Sequence, residues 1–401
     1  MRGRILRVRE LLFLCLLCGL VSIWYFQLYL DSRSNIWTYF VLFAFYLAGL
    51  ILVFFESFIS KEEPSEAFHF TPWDLLPAAF IAAWIYSALV GFLSNNPPQL
   101  IFRNFFGYLV YSVYFVFISI RITKKEVLRS LATTALFANI LTFWAILPAI
   151  RSMSLAIGTR ILFSPIQLFS FLPIVPGIHL LVKQIKQNKS SKDLLLALTL
   201  LSFVIISFFT AIVLSHSKGF HLAFAISLCL LFSYELKKWS LLFLMGYALF
   251  VLTHFFPGHG LDFAYKILVG VLDPNDTANY ERYRQASFFL DDITVLGRGL
   301  GSALSNFYVR DEVYHYAYEL SPLNIVHKMG LVSILVFASY AITFDRILRN
   351  LLGRVEMLTS LTALSCMAFL FLGIGNPSLF SPESAILHCI ALLLLRKSET
   401  V

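Results

Sequence analysis

Three ionisable side chains lie close together where a long polar stretch gives way to a strongly apolar one. They are Glu319, His327 and Lys328, and the apolar run Leu331–Phe344 follows them directly. A carboxylate or an imidazole can take a proton from an attacking hydroxyl, and an ammonium can stabilise a negative charge. Ionisable groups beside a membrane are costly unless they are paired or hydrated, so this segment is predicted to be a functional site.

The composition indicates the class of protein that must position these groups. The chain has 401 residues, of which 59% are hydrophobic and 13% are charged, and its mean hydropathy is +0.78. A soluble protein of this length would carry about a quarter charged residues. An all-α, polytopic membrane protein is therefore predicted. The net charge of +8 does not indicate nucleic-acid binding, because the basic residues lie in short loops.

Twelve apolar runs are predicted to be membrane-spanning helices. They are Leu11–Leu30, Trp37–Phe55, Leu75–Phe92, Ile101–Ile120, Leu128–Ile150, Leu162–Val182, Leu194–Leu214, Phe220–Tyr234, Trp239–Phe256, Pro322–Phe344, Met357–Leu372 and Pro382–Leu395. Nine spans fill residues 1–256, one large outer loop follows at 257–321, and three spans fill 322–401.

The basic residues predict the orientation of these spans. If the N-terminus is cytoplasmic, the loops on the same side are Lys- and Arg-rich, as the positive-inside rule requires. Those loops carry Arg121, Lys124, Lys125, Arg129, Lys183, Lys186, Lys189, Lys192, Lys237, Lys238, Arg346, Arg349, Arg354, Arg396 and Lys397. Both termini are therefore predicted to be cytoplasmic, and Pro257–Leu320 is predicted to lie outside.

Several cations remain on the outer side, where topology does not require them. The ones that bear on function are Arg160, Lys218, Arg282, Arg284 and Arg298. Any single one is explained by a solvated loop position or by a lipid-phosphate contact. Together they are predicted to surround an anion at the membrane surface, such as a lipid phosphate or diphosphate.

The outer loop contains a predicted amphipathic helix that lies on the membrane surface. Its apolar positions recur at helical spacing and are Tyr280, Tyr283, Ala286 and Leu290. Two interpretations stay open: a lid without chemistry, or a lid that carries Arg282 and Arg284 over a cleft.

A glycine cluster follows, with Gly297, Gly299 and Gly301 alternating with larger residues. It does not follow a strand of a βαβ unit, so a dinucleotide site is a poor interpretation. Glycine here predicts a tight turn or backbone N–H groups that approach an anion. We expect no metal or cofactor, since Asp291 and Asp292 are adjacent rather than on one helical face, the histidines are scattered, and no Walker-type loop is present.

In their order and sidedness these motifs resemble those of the O-antigen ligase and Wzy-type O-antigen polymerase superfamily of bacterial envelope polysaccharide glycosyltransferases. The resemblance rests on an Arg-bearing helix at Tyr280–Leu290, the three glycines, and a final segment Glu319–Gly330. Ser217-Lys218-Gly219 is similar to a Ser-Arg-Gly run of the family, and Arg160 with Ser164-Pro165 loosely matches an Arg followed by an Asn-Pro-like turn.

One departure from the family pattern concerns the proposed base. Counted back from Gly330, the family's histidine position is occupied by Glu319, and His315 and His327 flank it out of register. This favours a polymerase or a divergent member over a ligase. Glu319 is the candidate base, with His315 and His327 as possible substitutes. The structural alternative is that Glu319 pairs with an outer arginine or caps the following helix.

The resemblance implies transfer of a glycan from an undecaprenyl-diphosphate carrier to a sugar hydroxyl on the periplasmic face of the bacterial inner membrane. The predicted function is an O-antigen or surface polysaccharide polymerase. The acceptor is a glycan or a lipid-linked glycan, and a chain-length regulator is a possible partner. The loop tyrosines are candidates for stacking on sugars or for interfacial anchoring; they are Tyr308, Tyr314, Tyr316 and Tyr318.

Two alternative functions stay open. One is an O-antigen ligase that transfers finished polymer to the lipid A-core of lipopolysaccharide. The other is a membrane transporter or flippase, which should place ionisable residues in the middle of several spans. Mid-span charge is nearly absent, which favours chemistry at one membrane face.

Overall fold

The structure is a computed structural model of the chain. It describes residues 2–30, 44–45, 47–49, 51, 70–119, 121–151, 166–187, 191–214, 218–235, 277–304, 318, 320–373, 379 and 381–396. This part of the chain is all-helical and contains no strand. The helices are α1 (Arg2–Leu30), α2 (Leu75–Leu93), α3 (Pro98–Leu109), α4 (Val113–Ser119), α5 (Lys124–Arg151), α6 (Ile166–Phe171), α7 (Ile174–Gln187), α8 (Ser191–Phe208), α9 (Lys218–Glu235), α10 (Thr277–Asp292), α11 (Ser321–Met329), α12 (Ser333–Leu352), α13 (Met357–Cys366), α14 (Phe369–Gly373) and α15 (Pro382–Arg396).

Among the described residues, five helical stretches are long and apolar enough to cross a membrane. They are Pro72–Leu93, Lys124–Leu147, Ile166–Lys186, Asp193–Val213 and Ser321–Leu352, and each coincides with a predicted span. Shorter apolar helices occur at Val110–Ser119, Gly219–Leu231 and Met357–Gly373. The all-helical, membrane-embedded class is therefore supported. The full count of twelve stays a prediction, because Trp37–Phe55 and Trp239–Phe256 lie largely or wholly outside the described residues.

Several predicted spans are interrupted helices rather than continuous ones. A turn at Leu172 and Pro173 separates α6 from α7, and a 3-10 turn at Gly330–Val332 separates α11 from α12. Proline removes a backbone donor, and Gly330 has φ +56°, so both breaks follow from local chain chemistry. Hydropathy alone did not reveal these breaks because an interruption by a few residues leaves the apolar content unchanged.

The last predicted span, α15, is the centre of the bundle. Every side chain from Glu383 to Leu395 is buried. A helix that is apolar on all sides belongs inside other helices. This helix therefore packs against protein around its whole circumference.

At one end of the bundle, ion pairs join the termini of several helices. Arg396, at the end of α15, donates from Nε to Oδ1 of Asp74 at 3.0 Å, just before the start of α2. Lys124 at the start of α5 pairs with Glu356 just before α13. Arg129 lies 3.7 Å from Glu10 of α1. These are the ends that the basic loops predict to be cytoplasmic, so the structure groups them as the sequence does.

The glycine cluster packs at the opposite end. The amide of Leu300 donates to the carbonyl of Ser87 at 2.8 Å, near the far end of α2. With 19 residues, α2 is about 28 Å long. The two ends of α2 therefore mark two separate faces of the protein, and which of them is cytoplasmic stays a prediction.

Candidate functional site

The candidate site is built around residues 293–304, which follow α10 and contain the glycine cluster. We call these residues the glycine segment. Gly297, Gly299 and Gly301 have φ of +79°, +79° and +78°. A Cβ on Gly299 would lie 2.1 Å from the backbone nitrogen of Gly91 in α2. Glycine is therefore required here by a left-handed conformation and by backbone-to-backbone contact. The prediction of tight, glycine-dependent turns is confirmed.

The backbone N–H groups of this segment donate hydrogen bonds to acceptors within the protein. Four successive donors and their acceptors are Arg298 to the carbonyl of His327 (2.8 Å), Gly299 to the carbonyl of Lys328 (2.9 Å), Leu300 to the carbonyl of Ser87 (2.8 Å) and Gly301 to Oδ1 of Asn104 (3.1 Å). Donors that already have partners do not form an anion-binding nest. The alternative prediction, that these amides approach an anion, is therefore wrong.

The side chains that hold this segment in place come from a part of the chain that the sequence analysis did not predict to contact it. The side-chain amide of Asn96 donates to the carbonyls of Arg298 (2.8 Å) and Leu300 (2.9 Å). The hydroxyl of Tyr86 donates to the carbonyl of Leu296 at 3.0 Å, about 200 residues away in sequence. The end of α2 and the turn after it therefore fix the glycine segment in place.

Asp292, the last residue of α10, joins two of the cationic or basic groups. Its Oδ1 accepts from Nη2 of Arg298 at 2.6 Å, and its Oδ2 accepts from Nε2 of His327 at 2.8 Å. The backbone carbonyl of Asp292 also accepts from Nε of Arg298 at 3.2 Å. The carboxylate is 3% exposed and the imidazole 0%, whereas the Arg298 side chain is 46% exposed. One buried carboxylate therefore holds α10, the glycine segment and α11 together.

The carboxylate also determines the tautomer of the imidazole. Because Nε2 of His327 donates to Asp292, Nδ1 is the acceptor nitrogen in the neutral ring. This Nδ1 is buried and has no hydrogen-bond partner among the described residues. A histidine oriented by a carboxylate, with its other nitrogen free to accept, is the arrangement found in general bases.

Lys328 adds a buried side-chain amine next to this pair. Its side chain is 1% exposed, and Nζ donates to the carbonyl of Ser302 at 2.8 Å. A buried ionisable group is costly unless it is paired or hydrogen-bonded, so it marks a candidate functional position. The site thus contains the Arg298 guanidinium, the Lys328 amine, one imidazole and one carboxylate.

Aromatic rings close one side of the cluster. The ring of Phe289 lies edge-on to Tyr318 (5.0 Å between centroids) and to His327 (5.4 Å). Tyr318 is 0% exposed, and its hydroxyl accepts from the amide of Leu304 at 2.8 Å. Burial raises the pKa of the Tyr318 phenol, which therefore stays neutral. Of the two roles considered for Tyr318, stacking on a sugar and interfacial anchoring, neither is supported, because its ring is 0% exposed.

The predicted amphipathic helix is present as α10. Gln285, Phe289 and Asp292 are buried, whereas Tyr280 is 58% and Tyr283 is 52% exposed. The side with the tyrosines therefore points away from the protein, as in a helix whose apolar side lies on a membrane surface, and its contact with the membrane stays a prediction. The opposite side carries Phe289 together with two polar side chains, of which Asp292 contacts His327 of α11.

Two further predicted site residues, Arg282 and Arg284, lie on the same helix as Asp292. Arg282 is half-buried and Arg284 is exposed on α10, where the Arg284 guanidinium carbon lies 5.7 Å from the ring centroid of Phe288. Lys218 begins α9, and its side chain lies outside the described part. Glu319, Arg160, His315, Tyr308, Tyr314 and Tyr316 lie outside the described residues.

Asp292 is the functional candidate that the sequence did not single out. The sequence analysis considered Asp292 only as a metal ligand together with Asp291. It did not consider a role for a single carboxylate. Helical spacing offered a signal, because Gln285, Phe289 and Asp292 share one face of α10. No protein-family model matches the chain, and no curated protein is significantly similar to it.

Proposed function

We propose that this protein is a membrane glycosyltransferase that works at one membrane face, and more narrowly a polymerase of O-antigen or another surface polysaccharide. The supporting observation is the cluster of Asp292, Arg298, His327 and Lys328 at one end of an apolar helical bundle. The donor is a glycan on an undecaprenyl-diphosphate carrier, and the acceptor is a sugar hydroxyl. The reaction takes place on the periplasmic side of the bacterial inner membrane.

In this proposal the cations stabilise the leaving group. The bond between the anomeric carbon and the diphosphate oxygen breaks, its electron pair stays on the diphosphate, and a new glycosidic bond forms to the acceptor oxygen. Fixed guanidinium and ammonium groups stabilise the added negative charge. Arg298 is suited to this role, because Asp292 fixes two of its five N–H donors while 46% of its side chain stays exposed.

The other cations of the proposed diphosphate site are Arg160, Lys218, Arg282 and Arg284. The two arginines of α10 are supported by the anchoring of that helix, since Asp292 at its end ties it to α11. Arg160 and Lys218 rest on the resemblance to the polymerase and ligase superfamily.

The acceptor hydroxyl must lose its proton to a base within hydrogen-bond reach. Glu319 is the proposed base, one residue before Leu320 at the start of α11. His327 is the alternative, because Asp292 orients its ring and leaves Nδ1 as an acceptor. The complete burial of His327 favours Glu319, since a hydroxyl would have to enter the protein core to reach Nδ1.

Substitution separates the two bases. Glu319→Gln keeps size and much of the hydrogen bonding but cannot take a proton, so we expect glycan transfer per folded molecule to fall about 100-fold. The measurement is transfer from a lipid-diphosphate-linked donor by purified protein, with folding checked by gel filtration. Near-normal transfer by folded Glu319→Gln would exclude Glu319 as the base and assign the role to His327 or His315.

One ionisable side chain inside a described helix is structural, which weighs against the transporter alternative. His388 lies in the middle of α15, and both of its ring nitrogens are engaged, Nδ1 with the Tyr111 hydroxyl at 2.9 Å and Nε2 with the Thr343 hydroxyl at 3.0 Å. A buried histidine with both nitrogens satisfied is a structural member of the core. The described ionisable groups that pair with one another lie instead toward the two ends of the bundle.

Deletion of the gene, followed by electrophoresis of the surface polysaccharide, tests the function. A polymerase predicts loss of long chains and retention of single-repeat caps, restored by the wild-type gene. Full-length but unattached polymer would replace the proposal with a ligase. Unchanged glycan with altered solute uptake would replace it with a transporter.

A further inference from the structure

An apolar cavity of about 250 Å³ lies between α5, the junction of α6 and α7, α8 and α13. Each helix contributes to its wall, for example with Leu131, Pro176, Leu200 and Thr362. Thr362 is the one polar side chain among the described lining residues, and its hydroxyl already donates to the carbonyl of Leu358 at 2.8 Å. A stable water needs about two to four polar partners, so this wall is suited to hydrocarbon rather than to water.

The cavity lies near the end of the bundle where the basic residues collect, because its lining residues Leu128 and Leu358 fall within the first two turns of α5 and α13. Lys124 and Glu356 join the starts of α5 and α13. The side-chain amide of Gln184 donates to Oδ1 of Asp193 at 3.1 Å and joins the end of α7 to the start of α8. These two contacts join the four helices that line the cavity in pairs, α5 with α13 and α7 with α8.

Exposed cations stand at this end on the helices that form the cavity. Lys183 follows the lining residue Leu180 by three positions on α7, so the two share one side of that helix. Lys125 is exposed one turn before Leu128 on α5. Lys124 is offset by its pairing with Glu356, whereas Lys183 and Lys125 are exposed cations one turn from residues that line the cavity.

We propose that this crevice binds an anionic phospholipid, with one hydrocarbon chain in the cavity and the phosphate beside Lys183 and Lys125. The apolar wall selects a lipid tail, and the cations near the same end of the lining helices select a negative headgroup, as basic pockets between membrane helices do. This site is on the opposite face from the Asp292 cluster and does not depend on the proposed glycosyl transfer. The lipid is a bound structural or regulatory partner and takes no part in a reaction.

The first test fills the cavity. Full-length purified protein is titrated with phosphatidylglycerol or phosphatidylcholine, and bound lipid is counted by native mass spectrometry. Ala132, an exposed residue of the cavity wall, is changed to tryptophan. We expect Ala132→Trp to weaken phosphatidylglycerol binding about tenfold, the effect of withdrawing about two methylene groups from apolar surroundings. Leu195→Trp, at a 67% exposed position of α8 outside the cavity, is the matched control and should bind as wild type.

The second test removes one cation. Lys183→Gln should reduce the preference for phosphatidylglycerol over phosphatidylcholine about fivefold. Lys186→Gln makes the same charge change at a position about 120° around α7 from the lining residue Leu180, and it should leave the preference unchanged. Equal binding of the two lipids by the wild type, or wild-type binding by folded Ala132→Trp, would overturn the proposal. If Ala132→Trp does not fold, an unchanged preference in Lys183→Gln overturns it instead.

Discussion

Replacing Asp292 by asparagine tests whether one buried carboxylate holds the candidate site together. The carboxylate accepts from Arg298 at 2.6 Å and from His327 at 2.8 Å. An asparagine side chain keeps one acceptor oxygen, and its amide would face the second donor. The variant therefore loses the negative charge and at least one of the two hydrogen bonds.

The cost of this change comes mainly from the imidazole side. The Asp292–His327 contact is buried on both partners, 3% and 0% exposed, so a lost charge-assisted hydrogen bond costs about 1.5–3 kcal/mol and the unsatisfied donor adds to it. The Arg298 side chain is 46% exposed, and solvent replaces much of that interaction. We therefore expect Asp292→Asn to destabilise the folded protein by about 2–4 kcal/mol.

The assay is the thermal unfolding midpoint of the purified protein in detergent, with glycan transfer per folded molecule measured alongside. Asp291→Asn makes the same chemical change at the neighbouring exposed position and should shift stability by less than about 0.5 kcal/mol. Combining Asp292→Asn with His327→Gln should cost less than the two single changes together, because both remove the same contact. Equal midpoints for the Asp291 and Asp292 variants, or full additivity in the double variant, would refute the reasoning.

Three further predictions concern the glycine segment, the two faces of the bundle and the proposed anion site. Gly299→Ala places a Cβ 2.1 Å from a backbone atom at φ +79°, so it should prevent the accumulation of folded protein. The control Gly353→Ala, at φ −78°, should be tolerated. Gel filtration of the two expressed proteins measures how much of each is folded. In a cysteine-free background, cysteine at exposed Ala303 should react with an impermeant thiol reagent in intact spheroplasts, and cysteine at exposed Arg354 should not; the reverse pattern would invert the predicted topology. Lys218→Ala should lower glycan transfer about tenfold and Lys218→Arg should retain more activity, and equal rates for both would remove Lys218 from the diphosphate site.

The helix α10 shows what sequence reasoning reached and what it left out. Its position was predictable, because the apolar residues recur at helical spacing within a polar loop. The exposure of Tyr280 and Tyr283 agrees with a helix that turns its apolar face away from the protein, whereas the contacts of its other face were not predicted. That face carries Asp292, and its partner His327 comes from a helix whose position depends on the tertiary structure.

The glycine segment shows the same limit in its backbone. Its glycines predicted turns, because glycine adopts positive φ without steric cost. The destination of its N–H groups was not predictable, since their acceptors lie on α2, α3 and α11. An amide that is free in a local turn is a potential anion donor, and only the tertiary contacts show that these amides already have partners.

The sequence by itself determined the helical, membrane-embedded class and the approximate limits of the described spans. These properties follow from local runs of apolar residues and from the basic residues at their ends, and neither needs a distant partner. The tertiary structure alone decided that α15 is central, that the spans at Leu172 and Gly330 are interrupted, and that Asp292 joins Arg298 to His327. Burial of a helix and pairing of charges depend on side chains that come from remote parts of the chain. In the same way, Asn96 holds the glycine segment, which lies about 200 residues later in the sequence.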